Sequence, residues 1–319
     1  MLPRISLLFF YAAIPTFAHL IDYRANNGPT TLPNISIDMC GTPPPSAELR
    51  AAHSYFRGSP TARLAGGSTA TKPLVVEVYM HFVSTADQAP LYNSRTRSTL
   101  ISNQVRHPPP QQPHSNPSLT VSAMHPQMAV LNQAYRPSNI TFHLNTTSYS
   151  IRDDWATDAN STTMKKALRR GTYADLNLYF QTNLSSYPYT YSAGSTLLGY
   201  CTLPTNITYA YNGQTYEFPA IDYATDGCNI LAGSMPHAPN TVIGYDQGKT
   251  AVHEIGHWFG LLHTFQDNTC GAGDGGDYCD DTPQQSVSTS GCPTGKDSCP
   301  LSPGLDPINN YMDYSTDEW

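Results

Sequence analysis

The chain has 319 residues, a formal charge of −7 and only 13% charged side chains, against about 25% in an average soluble domain. Five of its 24 acids are glutamates and five of its 17 bases are lysines, while proline (27) and tyrosine (21) are abundant. This excludes a coiled coil and argues against a highly charged disordered chain or a basic nucleic-acid binder; the length allows one large domain or two small ones.

Residues 1–18 read as a secretion leader. Arg4 supplies the positive start, Ile5 to Phe17 is mostly apolar, and Thr16-Phe17-Ala18 places small residues around a cleavage point. The apolar stretch is too short for a bilayer span, which needs about 20 residues, and no later segment suits one, so no membrane association is expected. Six N-x-S/T sequons, at Asn34, Asn139, Asn145, Asn160, Asn183 and Asn206, fit a secreted, extracellular glycoprotein. Residues 19–71 lack sustained periodicity apart from a helical stretch at Ala47 to Tyr55 and read as a pro-segment or linker; the catalytic domain is expected over 72–319.

That domain opens with a β-branched and aromatic strand, Leu74 to Val83. A proline-rich loop with Pro108-Pro109-Pro110 follows, then a helix from about Ala123 to Tyr135 and a short strand, Ile140 to Leu144. A second helix spans Thr162 to Arg170, stopped by Gly171, and Leu176 to Phe180 makes a third strand. Lys165, Lys166, Arg169 and Arg170 at helical spacing read as a solvated helix face. Alternating strands and helices place the fold in the α/β or α+β class.

One segment dominates: His253-Glu254-Ile255-Gly256-His257-Trp258-Phe259-Gly260-Leu261-Leu262-His263. On a helix, His253 and His257 lie one turn apart on one face and can grip one zinc ion. Glu254, about 100° around the helix, reaches beside the metal, where it can hold and deprotonate a water. Gly260 permits the left-handed turn that ends the helix and lets His263 return as a third ligand. Three neutral histidines leave one position open, as in catalytic rather than structural zinc sites. The chemistry is peptide hydrolysis, with Glu254 as general base and then acid. A secreted zinc-binding module without activity is the alternative; the carboxylate at Glu254 speaks for the enzyme.

These residues resemble the metzincin metalloproteases, with a Met-turn at Asn310-Tyr311-Met312-Asp313-Tyr314. Leu197-Leu198-Gly199-Tyr200-Cys201, Asp226-Gly227-Cys228, Leu262-His263-Thr264-Phe265-Gln266 and Asp281-Thr282-Pro283 are similar to the pappalysin family, especially its fungal secreted members. The resemblance implies a twisted mixed sheet with the active-site helix in an upper subdomain, an irregular disulfide-stapled lower one, and the proline-rich loop as an insertion. Protein or peptide substrates would lie extended against an edge strand, from either Leu197–Leu203 or Asn229–Ser234. It further implies Met312 as the floor beneath the metal and Tyr314 as an aid to the oxyanion; the oligomeric state is open, with a monomer expected. Family chains continue into a C-terminal helix after the Met-turn, whereas this sequence ends at Trp319.

Four cysteines within thirty residues, Cys270, Cys279, Cys292 and Cys299, allow three connectivities. The resemblance implies Cys201–Cys228 and Cys270–Cys299, and Cys279–Cys292 is expected to replace a family bridge whose second cysteine is missing here. Cys40, in Asp38-Met39-Cys40-Gly41-Thr42, is then left over. It is a candidate thiolate ligand for the open zinc position, holding the enzyme latent as the cysteine of an Arg-Cys-Gly segment does in matrix metalloproteases, although Met39 stands where that arginine would be. Asp274, Asp277, Asp280, Asp281 and Thr282 offer oxygen ligands for a calcium ion that some relatives bind.

Overall fold

The long strand that opens at Leu74 is buried over its second half because its side chains there enter two covered faces. In the computed structural model, Val76, Val78, Met80 and Phe82 of one strand enter the main core while Val83 enters a second cluster on the other side. The model describes residues 37–58, 73–92, 118–184, 196–205, 208–211, 214–217, 223–270 and 276–319. The leader, Asn34, Asn206, Asp274 and the Pro108–Pro110 loop lie outside the described residues.

In chain order the elements are β1 (Ile37–Asp38), α1 (Ala47–Gly58), β2 (Leu74–Ser84), α2 (Ala89–Tyr92), α3 (Ser118–Tyr135) and β3 (Ile140–Ile151). Then come α4 (Asp153–Ala156), α5 (Ser161–Leu168), β4 (Leu176–Gln181), β5 (Thr196–Leu197) and β6 (Gly199–Cys201). The hairpin β7 (Thr208–Tyr211) and β8 (Gln214–Glu217), strand β9 (Cys228–Leu231) and helix α6 (Lys249–Phe259) complete the set.

Five strands form one mixed sheet in the order β3-β2-β4-β9-β6, parallel except for β6, which runs antiparallel to β9. All six residues of β4 are buried, as expected for a parallel strand covered on both faces. One face packs against α3 and α6 through Met128, Leu131, Val252, Ile255 and Trp258. The other meets α4 and α5 through Trp155, Met164 and Tyr179. The open alternative about the edge is thereby resolved: β6, within Leu197–Leu203, is the edge strand, and β9 is interior.

Strand β3 runs to Ile151 rather than stopping at Leu144. Its second half, Asn-Thr-Thr-Ser-Tyr-Ser-Ile, has little apolar periodicity; it is held by register with Tyr79–Ser84. The basic cluster also differs from expectation. Lys166 and Arg170 are exposed, but Lys165 and Arg169 are buried. Lys165 donates to the Gly227 carbonyl (3.2 Å), and Arg169 pairs with Asp226 (3.3 Å) behind the sheet. A buried partner, invisible to helical spacing, turned these two cations inward.

After α6 the described chain has neither strand nor α-helix and is stapled by Cys270–Cys299; Cys201–Cys228 links β6 to β9. The expected Cys279–Cys292 bridge is not formed. Cys279 is half-buried with its Sγ 3.6 Å from the Asp277 carbonyl, whereas Cys292 is exposed with its sulfur 3.0 Å from Thr316 Oγ1. Each thiol is held in a different neighbourhood, and both are free.

Candidate metal centre

Helix α6 is bounded by glycines in the left-handed region, Gly248 (φ 82°) and Gly260 (φ 99°). At its end the Gly260 N–H donates to the His257 carbonyl and the Leu261 N–H to the Gly256 carbonyl, both at 2.8 Å. This closure turns the chain back within one residue and brings His263 to the ring of His257.

The result is a cluster of imidazole nitrogens. His257 Nε2 lies 3.1 Å from both His253 Nε2 and His263 Nε2. His253 Nδ1 faces the Tyr311 carbonyl (2.6 Å) and His257 Nδ1 the Leu261 carbonyl (2.8 Å). A carbonyl only accepts, so each Nδ1 carries the hydrogen and each facing Nε2 presents a lone pair. Burial pushes His253 down to about 4, and burial with mutual repulsion pushes His257 and His263 well down. Neutral rings with converging lone pairs repel one another unless a cation lies between them. Tetrahedral zinc, about 2.0–2.1 Å from each nitrogen, would space them by about 3.3 Å, so the residues fit that ion. Sγ of Cys40 joins the cluster: it and the three histidine nitrogens all lie within 4.8 Å of one another.

Glu254 is fully buried beside this cluster. Its Oε2 accepts from Thr42 Oγ1 (3.2 Å) and lies 3.7 Å from Cys40 Sγ, while Oε1 has no hydrogen-bond partner. Burial pushes its carboxyl up to about 8. Space for it comes from Gly199: a Cβ there would sit 2.8 Å from Glu254 Cγ and 3.1 Å from the Asn229 carbonyl.

Met312 is buried beneath the helix, against Gly256, where a Cβ would lie 2.4 Å from its sulfur. Tyr314 brings its hydroxyl within 3.2 Å of His263 Nε2. The intervening Asp313 fastens this turn to the lower segment, accepting from Gln285 Nε2 (2.9 Å), Thr289 N (2.9 Å) and Thr289 Oγ1.

Residues 37–42, within the stretch expected to be a pro-segment, cross this centre along the sheet edge. β1 pairs in parallel with β5, Gly41 N donates to the Gly199 carbonyl (2.8 Å), and Thr42 Oγ1 accepts from Cys201 N (2.9 Å). Thr42, Gly199 and Asp313 were within the motifs quoted from the sequence, but nothing there assigned them a task. Of the acids considered for calcium, Asp280 pairs with Arg57 (2.6 Å) and Asp277 accepts from Cys279 N (2.9 Å). Among the described residues, the histidine–cysteine cluster is the one place where three or more such ligands converge.

Helix α1 docks below the centre. Leu49 and Ala52 pack with Leu203 and Leu262, Arg50 pairs with Asp267, and His53, 2% exposed, stacks on Tyr278. The partly exposed ion pairs are worth about 0–1 kcal/mol each. Burial holds His53 at about 4 against an ordinary 6.5. An undocked His53 therefore binds a proton more readily, so its contribution to docking is full above pH 6.5 and is lost as pH falls towards 4. Hydrogen exchange of the α1 amides, corrected for intrinsic rate, should show weaker protection at pH 5 than at pH 7; His53→Phe should reduce that difference.

Three converging histidines with a buried carboxylate at their side, on a helix beneath a mixed sheet, define a metal-dependent hydrolase. The model of metallopeptidase family M12 (reprolysin type) matches residues 114–309. An extracellular metalloprotease of Neurospora crassa is 42% identical over 279 residues, covering 87% of this chain and 81% of that protein. One from Aspergillus fumigatus is 38% identical over 300 residues, covering 88% and 82%. A promirolysin mutant of Tannerella forsythia shares the fold, with a TM-score of 0.50 at 19% identity over 87% of each chain. The chain belongs to metallopeptidase family M12, and its activity is that of a metalloendopeptidase.

Proposed function

We propose that the chain is a secreted zinc endopeptidase of the pappalysin branch, made as a zymogen and acting as a monomer on extracellular proteins or peptides. The observation that carries this reading is the meeting of three histidine Nε2 atoms beside a buried, half-satisfied Glu254. His253, His257 and His263 would hold one zinc ion, which when bound acidifies water and polarises the substrate carbonyl. Glu254 takes the proton of the attacking water and delivers it to the leaving amine. The Tyr314 hydroxyl, beside His263, donates to the developing oxyanion. The backbone of β6, once the pro-segment has left, offers the edge along which an extended substrate lies.

The branch assignment is supported by the Cys201–Cys228 and Cys270–Cys299 bridges that the resemblance implies, and by the Met-turn motif. Extracellular relatives support secretion; the division into leader 1–18, pro-segment 19–71 and catalytic domain 72–319 is our reading of the sequence. Latency is assigned to Cys40, whose thiol sits in the ligand cluster, with Thr42 engaging Glu254. Zinc alone is proposed; no calcium site is assigned.

The test is cleavage of a casein-type substrate by the processed protein. Activity should vanish with a chelator and return with added zinc. A protein shown to hold zinc that gives no chelator-sensitive cleavage would overturn the reading.

A further inference from the structure

The sheet has a second terminal strand, at the opposite end from β6. Strand β3 is the terminal strand, bonded to β2 alone, so its outer edge has no strand partner among the described residues. Such an edge is a template for pairing with another chain, and proteins blunt it with charges, prolines, bulges or covering elements. The twelve residues of β3, Ile-Thr-Phe-His-Leu-Asn-Thr-Thr-Ser-Tyr-Ser-Ile, contain no proline and no lysine, arginine, aspartate or glutamate. Three threonines, two isoleucines, a tyrosine and a phenylalanine among the twelve favour extended pairing. The chain's general shortage of charge thus falls where charge is most useful.

One device guards the first half. Asn132 of α3 reaches over the edge, donating from Nδ2 to the Phe142 carbonyl (3.1 Å) and accepting from Phe142 N (2.8 Å). At the start of the second half, the register with β2 slips: Val78 faces Leu144, but Tyr79 faces Thr146. Asn145 is the extra residue of this bulge. It is exposed, as is Thr146 after it, which breaks the alternation of the strand. It also begins one of the sequons, Asn145-Thr146-Thr147. Its Nδ2 contacts only the exposed Glu77 carboxylate (3.0 Å), on the solvent side.

We propose that Asn145 carries an N-linked glycan that shields the second half of the β3 edge, doing there what charged side chains do in other sheets. The proposal rests on the secretory route assigned above. The bond forms between Nδ2 and the anomeric carbon of a lipid-pyrophosphate oligosaccharide; one Nδ2 proton is lost and the lipid pyrophosphate departs. The second Nδ2 hydrogen remains for Glu77. A bulky, hydrated sugar on a bulge of the terminal strand prevents a second chain from approaching in register.

The experiment expresses the full chain, with its own leader, in a fungal secretion host and maps glycopeptides by mass spectrometry. Asn139 and Asn160, exposed but off the edge, are read alongside. An occupied Asn145 is expected, and an unmodified one overturns the proposal whatever the other sequons carry. Location in medium or cells reads the secretory route separately. In the second arm, Asn145→Gln and Thr147→Val each abolish the sequon by a different change. Both should move the protein from its native size-exclusion position to larger species as concentration rises, with peptidase activity per folded molecule unchanged. If both variants elute and scatter like the glycosylated protein, the shielding role is wrong.

Discussion

Glu254→Gln is expected to lower kcat by about 10²- to 10⁴-fold, the contribution typical of a positioned general acid–base group, while zinc content stays at that of the unsubstituted protein. The exchange keeps the shape of a side chain that already fits against Gly199, so the amide has room and the helix need not shift. What it removes is the ability to accept a proton at the oxygen with no other partner, Oε1. The three imidazoles keep their carbonyl partners at Tyr311 and Leu261, so the metal remains held. Metal analysis and peptide kinetics on one preparation check this. Activity within a few-fold of the parent would remove Glu254 from the mechanism, and loss of metal would make it a ligand instead.

Cys40→Ala is expected to raise the peptidase activity of the unprocessed chain by more than about tenfold, since losing one strong tethered ligand is worth well over 1.4 kcal/mol. The processed enzyme, lacking that segment, should be unaffected. Burial and the neighbouring Glu254 push the Cys40 thiol well up in the metal-free protein; a cation at the three nitrogens reverses that balance by stabilising the thiolate. The variant should still fall short of the processed enzyme. The pairing of β1 with β5, the Gly41–Gly199 bond and the Thr42 contacts with Glu254 and Cys201 still hold residues 37–42 against the sheet edge. Rates of the unprocessed variant, the unprocessed parent and the processed enzyme decide this. Equal rates for the two unprocessed chains would mean that the thiol contributes nothing to latency.

The ligand triad was legible because it is local: helical periodicity places His253 and His257 on one face, and a glycine stop returns His263 to them within eleven residues. The neighbours of that triad arrive from distant parts of the chain, so spacing alone did not place them: Tyr314 and Met312 were expected only from the resemblance, and Thr42 was assigned no task. Thr42 meets Glu254 across 212 residues, and Tyr314 meets His263 across 51. The same limit explains the errors. Lys165 and Arg169 sit at positions that spacing alone assigns to solvent, yet Asp226 and Gly227 draw them inside. Cys279 and Cys292 were expected to pair as a replacement for a family bridge, an expectation that carries no information about where either thiol lies.

Short-range rules therefore account for the class of chemistry, since residue type at helical spacing dictates which lone pairs can converge. They also account for the alternating element types and the sparse charge of β3. Tertiary contacts decided that β6 lies at one edge of the sheet, that residues 37–42 run along it beside the histidines, and that the terminal strand β3 carries its sequon on a bulge. Register, burial and edge position are properties of a strand's neighbours, and no window along the chain contains those neighbours.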